Sequence, residues 1–311
     1  MTKIYGKISI LTLNQKIIIH NHPKLKKLIF VSPTNYKILL SNNNIYNMII
    51  HYTSVQGRRE SNEDRHNIIL NLNKTSTKIG AINLLSIYDG HGGSSVSEYL
   101  EKNLPIYYCY PDLQIPFSKE YHNNTFERIQ KKIMQTRYGM STGSTCLVNI
   151  IYKYKDEYHM NIVNLGDSRL IIIYNNNQCK QVTVDHKPDD ELEKERIRNM
   201  GGTIYNDSEG VCRIGDLSLS RAFGDGDNAP YISQKPDVYY KKICKETKYI
   251  VMACDGLWDV IPNDDINDLL EQCKKTGSTN YAAYLATEAL NKGSTDNVSV
   301  IVIEIFPEIF K

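Results

Sequence analysis

Leu84-Leu85-Ser86-Ile87-Tyr88-Asp89-Gly90-His91-Gly92-Gly93 is the stretch on which the fold turns. Its apolar half is short and β-compatible, and reads as a buried strand. The run stops at a carboxylate followed by a glycine turn, so the strand delivers Asp89 to one end of a core. Immediately beyond, Ser95-Val96-Ser97-Glu98 has the spacing of a capping box. Val96, Tyr99, Leu100 and Leu104 then recur at helical spacing, and Phe126, Ile129 and Ile133 mark a second helix.

Further along, 145–152, 160–165 and 170–174 read as three strands of one meander. A helix over 189–200 starts with acidic residues and ends at Gly201-Gly202. The apolar run 249–254 ends at Asp255-Gly256. Ile266, Leu269, Leu270 and Cys273 form an i, i+3, i+4, i+7 stripe, 281–290 is a last helix, and 298–305 is a last strand. Strands in hairpin-like runs and helices in separate pairs point to a layered α+β domain, against an alternating parallel sheet. Before residue 50 the pattern is thin: Ile17-Ile18-Ile19 and Leu28-Ile29-Phe30-Val31 read as short strands set around Pro23 and Pro33.

Composition narrows the class. The 311 residues are 41% hydrophobic and 23% charged, as in an ordinary globular chain. A net charge of +2 excludes a strongly basic nucleic-acid binder as the default, and also an acidic disordered chain. Seven cysteines with no C-x-x-C pair argue against a zinc ribbon and for a reducing compartment. No apolar stretch of about 18 residues is present, so no membrane span is expected. The N-terminus lacks a signal-peptide pattern, and the expected location is the cytoplasm or nucleus. Tyrosine outnumbers phenylalanine 22 to 6 amid runs of asparagine, a bias of A/T-rich codons that carries no function.

The chemistry lies in the carboxylates. Asp89-Gly90 and Asp255-Gly256 each end an apolar strand, Asp296-Asn297 precedes another, and Glu63-Asp64 stands just before Ile68-Ile69-Leu70. Acids at the mouths of buried strands are costly unless a cation or an arginine neutralises them. Converging carboxylate oxygens suit hard octahedral ions, Mg²⁺ or Mn²⁺. A single Asp-Gly is ordinarily just a turn; four such sites weaken that account, but spacing alone does not prove that they meet.

Eight ordered motifs carry a resemblance. They are Arg59-Glu60-Ser61-Asn62-Glu63-Asp64, Tyr88-Asp89-Gly90-His91-Gly92-Gly93, Thr142-Gly143-Ser144-Thr145, Gly166-Asp167-Ser168-Arg169, Asp185-His186-Lys187-Pro188, Leu219-Ser220-Arg221-Ala222-Phe223-Gly224-Asp225, Ala253-Cys254-Asp255-Gly256-Leu257-Trp258-Asp259 and Gly293-Ser294-Thr295-Asp296-Asn297. Over roughly residues 50–306 the chain resembles the type 2C metal-dependent serine/threonine protein phosphatases (PPM-type).

The resemblance implies a four-layer α-β-β-α sandwich, in which helices flank a central antiparallel β-sandwich and the metal centre sits in a cleft at one end. It divides the chain into an N-terminal extension (1–49), a phosphatase domain (50–306) with a small flap around 189–236, and a tail (307–311). It assigns Asp89 to bridge two metals, with Glu63 and the Gly90 carbonyl on one ion and Asp255 and Asp296 on the other. Asp167 and Asp259, with Asp255, match a weaker third site. Asp64 would hold a metal-bound water, Arg59 would bind phosphate, and His91 would protonate the leaving alkoxide. The implied reaction is in-line attack by a metal-bridging hydroxide on phosphoserine or phosphothreonine, with Mg²⁺ or Mn²⁺ as cofactor. Phosphorylated proteins are the implied partners, with no nucleic acid or membrane, and the implied state is a monomer. The alternative is a catalytically inactive scaffold of the same fold. Such relatives lose metal carboxylates, whereas Glu63, Asp89, Asp255 and Asp296 all stand here. Trp258, Cys254, Arg221, Ser144 and Thr145 are expected to be structural, and Asp185 and His186 to lead into the flap.

Overall fold

In the computed structural model, which describes residues 21–22, 25–26, 36–42, 45–72, 81–109 and 115–310, the apolar runs become two antiparallel sheets stacked face to face. The strands expected at 17–19 and 28–31 lie outside the described residues. In chain order the strands of the two sheets are β1 (Tyr36–Asn42), β2 (Ile45–Val55), β3 (Arg65–Ile69), β4 (Ile82–Tyr88), β5 (Cys146–Tyr154), β6 (Glu157–Leu165), β7 (Arg169–Tyr174), β8 (Cys179–Gln181), β9 (Asp237–Lys242), β10 (Thr247–Ala253) and β11 (Val298–Ile305). The first sheet runs β9-β6-β5-β4-β3 and the second β8-β7-β10-β11-β2-β1. A boundary at residue 49 falls inside β2, and β1 adds an edge strand before it.

Successive side chains of a strand point to opposite faces. In β10, Ile250 and Met252 meet Leu85, Ile87, Leu147 and Ile162 of the opposite sheet, while Tyr249, Val251 and Ala253 turn outward onto helices. Both faces are therefore dry, and the strand reads as a continuous apolar run. Each fully buried side chain of this kind contributes about 1.5–3 kcal/mol, so the sandwich dominates the stability of the domain.

Helices α1 (Ser95–Tyr107) and α2 (Lys119–Ile133) cover the outer face of the first sheet through Val96, Leu100, Leu104, Phe126, Ile129 and Ile133. On the second sheet lie the single turn α4 (Asp255–Trp258), α5 (Asp265–Lys275) and α6 (Tyr281–Asn291). The stripe Ile266, Leu269, Leu270 and Cys273 is fully inward. The helix of the flap, α3 (Glu191–Asn199), packs Ile197 on a separate small core with Ile214, Leu219, Ala222 and Ile232.

Three local expectations need correction. The capping box at Ser95 does not form: Ser94 is the N-cap residue, and Glu98 instead accepts bonds from Ser94 Oγ and from the Arg65 guanidinium. The helix expected over 189–200 is shorter, because the Asp190 carboxylate caps it by accepting the N–H groups of Leu192 and Glu193. The meander is broken: β5 and β6 pair in the first sheet, but β7 pairs with β10 in the second. Gly166, at φ +106°, turns the chain from one layer to the other.

That crossing helps to gather the strand ends. Arg65 lies opposite Tyr88, Arg169 opposite Ala253, and Val55 opposite Val298. The register thus sets Asp64, Asp89, Ser168, Cys254, Gln56 and Asn297 at one end of the sandwich.

Candidate metal centre and active site

At that end, a cleft of about 450 Å³ is lined by Glu63, Asp89, Gly90, Asp167, Asp255 and Asp296, with Arg59 and His91 on its rim. One carboxylate oxygen each from Asp89, Asp167 and Asp255 lie within 4.8 Å of one another. A second group, Asp64, Asp89 and the Cys254 thiol, meets the same limit. Asp89 belongs to both, which fits the residue expected to bridge.

The acids are poorly compensated. Burial first, then repulsion from Asp64, Asp255, Asp167 and Asp296, pushes the Asp89 carboxyl well above the usual range. Burial, Asp167 and Asp259 do the same to Asp255, against a partial offset from Lys187. Asp64 is buried and raised to about 6, chiefly by burial, with Asp296 adding repulsion. Both of its carboxylate oxygens are buried without a well-formed hydrogen bond, and Ser299 and Cys254 offset the burial only in part. Orphaned oxygens beside crowded hard donors are what a divalent ion satisfies, so the residues present fit Mg²⁺ or Mn²⁺. Cys254 fits less well as a ligand: burial holds its thiol well above the ordinary value, and Sγ is engaged with the Asn297 carbonyl and the Ser299 N–H.

The backbone around these acids is clamped. The Asn297 side chain accepts the Glu63 N–H at 2.8 Å and donates to the carbonyls of Gln56 and Ser61. This fixes the 56–63 loop against the start of β11. Gly57, at φ +62°, lies so close to the Asp296 carbonyl that no side chain fits between them. The Glu63 carboxylate accepts the Gly93 N–H at 2.9 Å and the Ser61 hydroxyl at 3.2 Å. A Cβ on Gly90 would stand 2.5 Å from the Glu63 carbonyl oxygen, so glycine is needed for that approach. Glu63 and Gly90 share the cleft but lie outside the two tight groups.

The remaining expected residues have other partners. Arg59, 59% exposed, donates to Asp296 Oδ2 at 2.7 Å, tying the expected phosphate binder to an expected ligand. Asp167 forms an ion pair with Lys187, whose ammonium also lies 4.0 Å from Asp255 Oδ2. Asp259 follows α4 and does not line the cleft. Burial raises its carboxyl, and repulsion from Asp167 and Asp296 adds to the rise. Burial alone would depress the Lys187 ammonium, but Asp167, Asp255 and Asp259 together hold it above its ordinary value.

Several positions gain roles that sequence reasoning missed. His91 Nε2 lies 2.8 and 2.9 Å from the two oxygens of buried Asp225. Asp225 itself adopts φ +51°, a conformation that Asp tolerates better than most residues. Thr145 was expected only to begin a strand, yet its Oγ1 accepts the Asp89 N–H at 3.1 Å and its own N–H donates to the Asp89 carbonyl at 2.8 Å. The signal for both was their place inside quoted motifs; nothing in the spacing named their partners. The structural readings fare as expected. Trp258 is buried, donates Nε1–H to the Ala253 carbonyl, and carries the Arg169 guanidinium 5.2 Å from its ring centroid. Arg221 ties β9 to the flap through Asp237 and Glu193. Arg169 grips Asp185, and His186 Nδ1 accepts the Gly166 N–H.

Comparison with known proteins agrees with this geometry. Residues 50–298 match the family profile of Protein phosphatase 2C. The chain is 34% identical to Probable protein phosphatase 2C 28 of Arabidopsis thaliana over 231 residues, 71% of this chain and 64% of that protein. It is 33% identical to Probable protein phosphatase 2C 44 of Oryza sativa subsp. japonica, over 71% of this chain and 68% of that one. The match thus spans about two thirds of the length of these relatives. Among solved structures, a C. elegans sex determining protein superposes with a TM-score of 0.72 at 25% identity, over 84% of this chain and 67% of that one. A phosphatase from Toxoplasma gondii shares the fold at a TM-score of 0.73 and 20% identity, over 84% of this chain and 93% of that one. Motif order, layered sheets and the acid-lined cleft converge with these matches, and the chain belongs to the protein phosphatase 2C family.

Proposed function

We propose that this protein hydrolyses phosphoserine and phosphothreonine monoesters of proteins with the help of divalent ions held at the acid cluster. The observation that carries this reading is the joint presence of Asp89 in both tight acid groups and of orphaned Asp64 oxygens beneath it. When bound, Mg²⁺ or Mn²⁺ supplies Lewis-acid charge to the phosphoryl oxygens and acidifies water near neutral pH. Asp89, Asp255, Asp296, Glu63 and the Gly90 carbonyl would hold the ions. Asp64, buried and outside the cleft lining, would orient a water. Arg59 stands at the rim with a planar guanidinium whose N–H groups suit a phosphate fork. The Asp225 carboxylate orients the His91 ring through Nε2, leaving Nδ1 to hold the proton for the departing alkoxide.

Hydrolysis of a phosphothreonine peptide by purified protein, titrated with Mn²⁺ and Mg²⁺ and quenched with EDTA, tests the proposal. Metal-dependent phosphate release is the expected result. A folded protein that releases none with either ion would instead be an inactive scaffold.

A second measurement isolates His91. His91→Gln is expected to slow alkyl phosphate hydrolysis by about 10²-fold while leaving aryl phosphates, whose leaving groups need no proton, within severalfold of wild type. Equal losses on both classes would remove the general-acid role.

A further inference from the structure

Among the described residues Lys187 is the cation that forms ion pairs with the acids of the third, weaker site, and Arg169 adds a weaker attraction on Asp259. Its ammonium is hydrogen-bonded to Asp167 Oδ2, lies 4.0 Å from Asp255 Oδ2, and interacts electrostatically with Asp259. Those three carboxylates are the set on which the third ion is expected. We propose that Lys187 is a tethered cation that occupies this site until a divalent ion displaces it, so that the side chain sets the affinity of the third position. The inference rests on the metal-centre reading above and concerns only how this chain's own residues compete for it.

The surroundings favour movement of the side chain over movement of the backbone. Asp167 is 2% exposed and needs a countercharge, whereas Lys187 is 30% exposed and can swing into water on its four-carbon stem. The preceding backbone is pinned. Arg169 holds the Asp185 carboxylate through Nε and Nη2, the His186 ring lies between the Gly166 N–H and Asp237, and the His186 carbonyl accepts the Ser220 N–H. The Lys187 carbonyl accepts the N–H of Asp190, the N-cap of α3. The competing charge therefore sits at the root of the flap. Two like charges cannot share one small site, because repulsion at about 4 Å reaches several kcal/mol even in a screened protein environment.

The test is Mn²⁺ binding to the metal-stripped full chain, followed by calorimetry and by the electron paramagnetic resonance signal of free Mn²⁺. Lys187→Met keeps an apolar stem and removes the charge. It is expected to tighten the third site at least about tenfold, with the two stronger sites within threefold of wild type. Lys187→Arg, which keeps the charge, should leave the third site weak. As a check independent of any variant, acylation of Lys187 in the wild-type chain, read by peptide mass spectrometry, should accelerate once Mn²⁺ exceeds the level that fills two sites. An unchanged or weakened third site in Lys187→Met, or no change in labelling across that titration, would overturn the proposal. Failure of the wild-type chain to bind any Mn²⁺ would instead overturn the metal-centre reading, and this inference with it.

Discussion

Asp89→Asn is expected to lower metal-dependent phosphopeptide hydrolysis by about 10³-fold or more while leaving the fold in place. Asp89 alone contributes to both tight acid groups among the described residues, so its loss disables each of them. The amide keeps the shape of the side chain and can still accept one hydrogen bond, but it brings no charge to hold a cation. The fold is protected because Asp89 meets Thr145 through main-chain atoms, which the substitution leaves untouched. The metal-free variant should even gain stability, by about 1–2 kcal/mol, since one member of a mutually repelling cluster has been neutralised. Two measurements decide the matter: kcat at saturating Mn²⁺, and urea unfolding in EDTA. Retained turnover would remove Asp89 from the site, and a destabilised variant would show that the cluster is not under electrostatic strain.

The second large effect is a loss, as pH rises, of metal-free stability relative to the metal-bound chain. Asp64 titrates near 3.8 in an unfolded chain and near 6 in the folded one. Between those values this carboxyl binds more protons in the folded state than in the unfolded one, so its contribution to the free energy of unfolding falls with increasing pH. Below about pH 4 the effect is absent; above about pH 6 it is complete, and for Asp64 alone it amounts to about 3 kcal/mol. Asp89 and Asp255, raised further, extend the decline to higher pH. Divalent ions should cancel this decline by compensating the ionised carboxylates. Urea midpoints taken at pH 5 and pH 7.5, in EDTA and in Mn²⁺, give the comparison. Burial lowers the His66 and His122 rings to about 4, which adds stability in both media as pH rises through that range, so the gap between the two midpoints is the deciding quantity. A gap that does not widen between pH 5 and pH 7.5 would mean that Lys187 and solvent already neutralise the cluster.

How much of this was legible varies with the range of the interaction. The last strand, 298–305, could be bounded from sequence because a continuous apolar run marks a strand buried on both faces, and β11 is covered on both sides. The stripe of α5 was equally plain, since a helix with one dry face prints its period into the chain. The transfer of β7 to the second sheet was hidden, because Leu170–Ile173 pairs equally well with any apolar neighbour. Only the turn at Gly166 and the register with Ala253 decide the matter. In the site, local motifs named the acids, but partner choice was not local: Arg59 is 237 positions from Asp296, and His91 is 134 from Asp225. The grip of Thr145 on Asp89 spans 56 positions and is made of main-chain and hydroxyl groups that any threonine carries.

Trp258 gives the molecule an optical property of its own. It is the only tryptophan in the chain, and it stands between Asp255 and Asp259 with the Arg169 guanidinium over its ring. Indole emission responds to nearby charge, and here every emitted photon of that band comes from the acid end of the sandwich. Ion arrival and the proposed displacement of Lys187 would each alter the field at this one ring, as would loss of the cluster. Excited at the red edge, where the 22 tyrosines are silent, the untouched protein would therefore report the charge state of its own centre.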